Sequence, residues 1–539
     1  MSEQQNLEAF FRNVRARGVP LIAILSSDVD GTQAALVSEA LTMHAEGRKS
    51  APVGFVRWDP AGGITAVGQT SLQGMAERFA LRCESVHVGY RDDVKLGEVV
   101  VAVCGVCKQV VEESRRVEFG LRLAQCLPEG YVLVLAHADL ELVRPPPEML
   151  AGIMTLRDTY KRDRQTLVII GQSLMLPAHL SSDMVVYEEE MPSQEQYAKV
   201  IEGLCESIKQ KVPDPETMTN ACSALRGLSL FGAEQQTTLS LRTTGIDLSA
   251  LWRNKKRVID QSRFLTFYYD LPGFEAQGGC GAIKEEMRAA LGSTRRPTAV
   301  LWLDEIEKAF AGASGEHAGG NSVGMDALGY FLWWSEQVRA MAFLFLGHPG
   351  TSKSYTAQCT AGEGHIPLLR ADIGATRGMY VGDSEQNLRR MVRMAEAIAG
   401  GGERLLVIAT CNNVAGLPEA LLRRFRFGKY FFDLLDEQER LATWSIHREL
   451  RGLAVQDLPD DEGWTGAEIA DCCEIAAVYG VSIVQASERI VPIAVQTQDK
   501  VRRLQLESSG KYLSASYAGV YRWEGQRAEQ PKRHISLEE

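Results

Sequence analysis

Through roughly the first 190 residues, short aliphatic and β-branched runs alternate with stretches whose apolar positions recur at helical spacing. PLIAILSS, EVVVAVCGV, YVLVLAHA and QTLVIIGQ have the length and composition of strands, and TQAALVSEALTMHAEG between them reads as a helix. Such alternation predicts a mainly parallel α/β layer over residues 1–192. From 193 to 262 the pattern turns helical, through SQEQYAKVIEGLCESIKQKV and DPETMTNACSALRGL, which predicts a lid-like helical subdomain and linker. A second α/β region is expected over 263–435, followed over 436–539 by helices and an irregular aromatic tail, GKYLSASYAGVYRW, that packs on the lid or recruits a partner. The expected architecture is α/β plus helices, twice.

The 539 residues carry 58 lysines and arginines against 69 aspartates and glutamates, a net charge of −11. That balance predicts no broad basic surface for nucleic acid, leaving a nucleic-acid motor only local patches such as LLRRFR and KVRRL. Hydrophobic residues at 45% and charged residues at 24% are globular proportions and exclude a mostly disordered chain. Eleven scattered cysteines suit a reducing compartment. Cys104 and Cys107 form a lone CxxC without a second pair, so strand cysteines and no metal site are expected there. No apolar run reaches about 18 residues and the N-terminus lacks a signal core, which predicts a cytoplasmic protein without a membrane span.

Candidate chemistry concentrates in the second α/β region. MAFLFL, residues 341–346, is an apolar strand leading into GHPGTSKS and a helix-compatible start. Strand, glycine-rich turn and helix make the setting of a phosphate loop. Gly347 and Gly350 let backbone amides curl around phosphates, Lys353 reaches the terminal phosphates, and Ser354 meets a divalent cation. His348, Pro349, Thr351, Ser352 and Tyr355 complete the candidate binding loop. Ser352 stands where the usual pattern has its second glycine, and its side chain is expected to crowd the approach. Taken alone, the match is also the composition of an ordinary strand-to-helix turn. PTAVLWLDEIEKAF, residues 297–310, ends an apolar strand on Asp304 and Glu305, one carboxylate for a metal shell and its neighbour to polarise an attacking water. An acidic first turn favoured by the helix macrodipole would give the same local sequence.

Together these segments resemble the AAA+ ATPases over residues 263–500, especially the uncharacterised group of plastids, cyanobacteria and other bacteria in which two AAA-like modules are fused. GHPGTSKS is similar to the Walker A loop, LWLDEIEKAF to the Walker B strand, LLVIATCNN to the sensor 1 strand and GLPEALLRRFRF to the arginine-finger segment. The resemblance implies a P-loop NTPase core, three-layered with a helical lid, and ATP and Mg2+ as cofactors. It implies Asp304 and Ser354 at the metal, Glu305 at the lytic water, Asn412 as sensor 1, and Arg423 and Arg426 acting in a neighbouring subunit. Phe425 stands where the family has a glycine, which bears on the aim of Arg426. FEAQGGCGAIKEEM implies an adenine-side backbone at Gly278 and Gly279, and WTGAEIADCCEIAA implies lid contacts from Gly466 and Ala467. RGMYVGDSE puts Tyr380 at the pore-loop position, where an aromatic grips extended polypeptide by area burial. The implied function is an ATP-hydrolysing, ring-forming remodeller of protein clients, assembled as a homo-hexamer. A non-hydrolysing nucleotide-dependent scaffold is the alternative, and a nucleic-acid motor the lesser one.

The order of motifs departs from the family, in which Walker A precedes Walker B. Here the Walker B strand comes first, which predicts one transposed βα unit in an otherwise retained sheet order, 5-1-4-3-2 in the family's strand count. Asp304 and the Ser354 hydroxyl would then share one Mg2+ shell. The N-terminal region offers Asp28 and Asp30 but no lysine at the corresponding turn, and Asp139 without a following glutamate. It is expected to be a degenerate AAA-like module that repels anions and serves docking or scaffolding.

Overall fold

The computed structural model describes residues 7–60, 63–67, 91–96, 99–104, 127–138, 147–172, 182–243, 245–261, 265–310, 322–372, 383–414 and 417–523, with Leu121, Ala124, Gln125 and Leu180. These fall into two compact units, residues 1–192 with 229–231, and residues 193–228 with 232–539.

The first unit is built on strands β1 (Leu21–Leu25), β2 (Phe55–Asp59), β3 (Gly63–Val67), β4 (Arg91–Leu96), β5 (Val99–Cys104), β6 (Val132–Ala136), β7 (Thr166–Gly171) and β8 (Val185–Glu188). Their order is β4-β5-β3-β2-β6-β7-β1-β8. β2, β6, β7, β1 and β8 are mutually parallel, whereas β3, β5 and β4 extend the sheet in that order as antiparallel strands. β6 and β7, apolar but for Thr166 at the start of β7, lie buried at its centre. β4 is an edge strand whose sequence, RDDVKL, is mostly charged. Those same charges hide it from a search for apolar runs.

The second unit contains the short hairpin β9 (Leu241–Arg242) and β10 (Gly245–Ile246), then β11 (Leu265–Tyr268), β12 (Ala299–Leu303), β13 (Met341–Gly347), β14 (Leu368–Ala371), β15 (Leu405–Cys411), β16 (Gly428–Phe432) and β17 (Leu513–Ser514). The sheet order is β11-β14-β12-β15-β13-β16-β17, parallel from β14 to β17. Counting β13 as the family's first strand, β16-β13-β15-β12-β14 reads 5-1-4-3-2. The transposed unit has therefore changed the chain path without changing the sheet.

The packing explains how. Alternate residues of each strand enter two separate cores. Leu301, Leu303, Leu344, Leu346 and Val407 lie on one face, while Val300, Trp302, Phe343, Phe345 and Ile408 lie on the other. Helices Ser322–Val338 and Asp383–Ala399 cover the first face, and helix Lys353–Gly364 covers the second. The connections β12 to β13 and β14 to β15 step in one direction across the sheet with their helices on the same face. The return step, β13 to β14, carries its helix on the opposite face, so all three crossovers keep one hand.

Residues 193–262 form helices Gln194–Ser207, Pro215–Leu225, Leu230–Ser240 and Leu248–Asp260, most of which cluster with the second sheet. The C-terminal segment departs from expectation. It adds β17 to the outer side of β16, with the Ala515 amide donating to the Phe431 carbonyl and Tyr521 packing on Phe431 at 4.5 Å between ring centres. The tail is thus an edge of the core sheet, anchored by the Tyr521 hydroxyl donating to Asp433 at 2.6 Å.

Candidate functional site

Seven consecutive buried residues carry β13 into the candidate phosphate loop. At Gly347 an added Cβ would overlap the Phe432 carbonyl oxygen, and at Gly350, with φ 84°, it would sit 2.9 Å from the Thr465 hydroxyl. Both positions require glycine. Thr351 closes the turn by donating to the His348 carbonyl at 2.7 Å. Pro349 lies within this turn, and the imidazole Nε2 of buried His348 has no hydrogen-bond partner.

Ser352 occupies the turn position directly before helix Lys353–Gly364. It adopts the left-handed conformation, φ 66° and ψ 13°, that the missing glycine would take, and makes no side-chain cap on helix Lys353–Gly364. Its hydroxyl faces Gly466, where an added Cβ would lie 3.0 Å away. The serine therefore leans on the lid helix Gly466–Tyr479. From that helix, the Ala467 amide donates to the Gly350 carbonyl at 3.4 Å. Thr465 caps the helix in a reciprocal box with Glu468.

Lys353 is buried and donates to the carbonyls of Gly347 at 2.7 Å and His348 at 2.5 Å. Burial pushes its pKa down to about 8, while Glu307, Cys411, Asp304 and Glu305 pull it the other way. The ammonium thus feels the acidic strand end across the sheet. Ser354 opens the helix, partly buried, and the Tyr355 hydroxyl donates to Ala276 at 3.3 Å. Burial pushes Tyr355 up to about 12.

Asp304 and Glu305 follow β12 at the C-terminal end of the parallel strands, the edge at which open α/β sheets hold ligands. Asp304 accepts from the Thr410 hydroxyl at 2.9 Å and from Arg370 at 2.7 Å. Glu305 has φ 47°, and its amide donates to the same Thr410 oxygen at 3.1 Å. One carboxylate oxygen of Glu305 accepts from the Asn412 side chain at 3.2 Å, and the other pairs with Lys308. Glu307 accepts from the Asn412 amide at 3.0 Å, and burial together with Glu307 pushes the Cys411 thiol up.

Thr410, Arg370 and Glu307 escaped the motif search. Thr410 precedes Asn412 by two residues, the spacing that puts both on one side of a strand. Arg370 was visible as the only charge in the apolar run PLLRA.

The loop before helix Gly281–Leu291 completes the surroundings. An added Cβ at Gly278 would overlap the Thr443 side chain, and Gly279, at φ 68°, abuts Glu439. Glu439 also accepts the Cys280 amide at 2.8 Å, and Gln277 donates to Thr356 at 2.7 Å. Gly278 and Gly279 are therefore tied both to the phosphate-loop helix and to the lid helix Glu437–Leu450.

Arg423 and Arg426 sit apart from this cluster. They are exposed on either side of buried Phe425, Arg423 pairing with Glu419 at 2.6 Å. Phe425 packs in the core with Leu417 and Leu421, which fixes the turn that a glycine would leave loose. Tyr380, Asp139 and Cys107 lie outside the described residues.

The donor set fits a magnesium nucleotide. Glycine-lined backbone and an ammonium suit phosphates, while carboxylate and hydroxyl oxygens suit a hard cation. Residues 343–401 match the AAA profile, ATPase family associated with various cellular activities. The uncharacterized AAA domain-containing protein ycf46 of Guillardia theta is 24% identical over 445 residues, covering 71% of this chain and 81% of its own. That of Trieres chinensis is 26% identical over 416 residues, covering 66% and 76%. The ATP-dependent zinc metalloprotease FtsH of Parabacteroides distasonis is 24% identical over 232 residues, covering 33% of this chain and 34% of its own. A solved structure titled crystal structure of FIGL-1 AAA domain aligns with 47% of this chain and 93% of its own at 12% identity and a TM-score of 0.30. Over two thirds or so of its length the chain is thus similar to the ycf46-type AAA domain-containing proteins, and residues 343–401 match the AAA family model.

Proposed function

We propose that the second unit binds ATP with Mg2+ and hydrolyses it, and that the chain works as a ring of identical subunits remodelling protein clients. The observation that carries this reading is the sheet order, in which β12 and β13 flank β15 although their chain order is reversed. Lys353 and the carboxylates Asp304, Glu305 and Glu307 thereby act on one another across the ends of three strands.

In this reading backbone N–H groups within residues 347–354, Pro349 excepted, and the Lys353 ammonium hold the phosphates, exchanging the carbonyl partners of Lys353 for stronger anionic ones. Ser354 and Asp304 hold Mg2+, which neutralises charge on the phosphates. Asn412 fixes the Glu305 carboxylate, which accepts a proton from the attacking water. Gly278, Gly279, Gly466 and Ala467 form the base and ribose side between core and lid. Exposed Arg423 and Arg426 reach a neighbour's phosphates, and Tyr380 contacts client polypeptide. The first unit serves as a docking module. Among the described residues no helix is long and apolar enough to cross a membrane, and the cytoplasmic assignment remains part of this reading.

Phosphate release by the purified full chain tests the enzyme. Glu305→Gln is expected to keep nucleotide affinity and lower turnover by about 100-fold or more. Absence of turnover in wild-type oligomer, with nucleotide bound, would favour the scaffold instead. Tyr380→Ala is expected to spare basal turnover and abolish client remodelling.

A further inference from the structure

The proposed metal-facing carboxylate already has a cation. Arg370, on β14, donates to one oxygen of Asp304 at 2.7 Å while Thr410 donates to the other at 2.9 Å. The pairing is built into the sheet, since Trp302 and Arg370 are register partners on β12 and β14 and Asp304 is two residues beyond Trp302. Arg370 has other anchors. Its guanidinium lies 5.0 Å from the centre of the Trp302 ring, on the side of the strand where, against burial and after Asp304, Tyr268 adds to the raising of its pKa. At 43% side-chain exposure it also reaches water. Asp304, by contrast, is only 16% exposed and is fixed by Thr410.

We propose that Arg370 is an internal competitor of Mg2+ for Asp304, setting the metal concentration at which nucleotide binding tightens. This rests on the nucleotide-binding reading of the same site. The physical case is charge competition. A guanidinium bonded directly to a carboxylate lowers the electrostatic gain available to a second cation at that carboxylate. Partial exposure screens the effect without removing it. With the Trp302 ring and water as alternative contacts, Arg370 can release Asp304 without being left unsolvated, so the exchange is reversible. The geometry also gives a reason for a charge within a short, otherwise apolar strand.

The test measures fluorescent ADP affinity of the full chain as a function of Mg2+ concentration, with EDTA as the metal-free limit. Arg370→Met removes the charge and keeps length and apolar contact with Trp302. Arg370→Gln is a second neutral variant, and Arg370→Lys keeps the charge. Both neutral variants are expected to lower the half-saturating Mg2+ concentration about threefold or more, with affinity in EDTA changed less than twofold. Arg370→Lys is expected to stay near wild type. Unchanged or raised Mg2+ demand in whichever neutral variant retains the wild-type melting profile would overturn the proposal. Failure of both neutral variants to fold would overturn it in favour of a structural role. If the wild-type chain binds no ADP with or without Mg2+, the nucleotide reading itself falls and this inference with it.

Discussion

The two units share a strand, a turn and a helix, yet treat the start of that helix in opposite ways. After β1, the Asp28 side chain accepts the Gly31 amide at 3.0 Å and caps helix Val29–Ala45. Next to it, Asp30 pairs with Arg57 at 2.9 Å. An internal carboxylate thus takes the place an external anion would need. After β13, the cap position is Ser352, whose hydroxyl makes no bond to the helix amides, and the next residue is the buried ammonium of Lys353. The frame alone therefore makes no phosphate site. What decides is whether the first amides are already consumed and which sign of charge stands beside them.

The hardest test of that contrast exchanges charge for bulk at the second turn. Lys353→Met is expected to weaken nucleotide binding about 100-fold in equilibrium titrations, while Asp28→Ala leaves it within twofold. Retained affinity in the first variant, or a loss in the second, would break the contrast.

Burial alone must also be separated from burial beside carboxylates, and Lys255 supplies the case. It is fully buried between Trp252 and Phe267, donates to the Ser223 carbonyl at 3.4 Å, and is pushed down to about 7 by burial and then by Arg226. Between about pH 7 and the unfolded lysine value near 10.4, the unfolded chain holds the proton that the folded chain has lost. This group therefore makes stability rise with pH across that window, and below it exerts its full destabilising effect. Lys255→Met should add about 1–4 kcal/mol at pH 6 and flatten the rise, as measured by urea unfolding at pH 6 and pH 9. A variant destabilised at pH 6 would mean that its ring and carbonyl contacts outweigh desolvation.

Smaller effects probe the turns themselves. Asp28→Ala should cost about 1 kcal/mol in thermal unfolding of the first unit through loss of the cap. Ser352→Gly should gain about 0.5 kcal/mol by relieving the left-handed backbone, without loss of nucleotide affinity. Weaker binding in this variant would show that the serine hydroxyl, through its place beside Gly466, shapes the lid.

Much of the second sheet was legible because its strands are uninterrupted apolar runs, each leading to a distinctive residue: Asp304, Gly347 or Asn412. Those ends fix where each strand belongs even when the chain visits them in another order. The left-handed backbone at Glu305 and Ser352 was not legible, since both are tertiary outcomes at residues with no intrinsic need for positive φ. Thr410 was hidden because a lone threonine in a buried strand satisfies β propensity as readily as a hydrogen-bonding task. In the first unit, parallel β6 and β7 announced themselves through aliphatic content, while β4 could not, its residues being suited to solvent. The tail aromatics signalled burial but carried no information about which surface would receive them.

The rearranged path has a consequence for synthesis. As the chain leaves the ribosome, β11, β12 and β13 appear first, and no two of them are neighbours in the finished sheet. Each waits for β14, β15 or β16 before any ladder can close. Three apolar ribbons must therefore be kept from wrong partners until roughly residue 368 is made, a long exposure for a nascent chain. Relocating one strand and its helix leaves the finished architecture alone and shifts its burden onto the moments before that architecture exists.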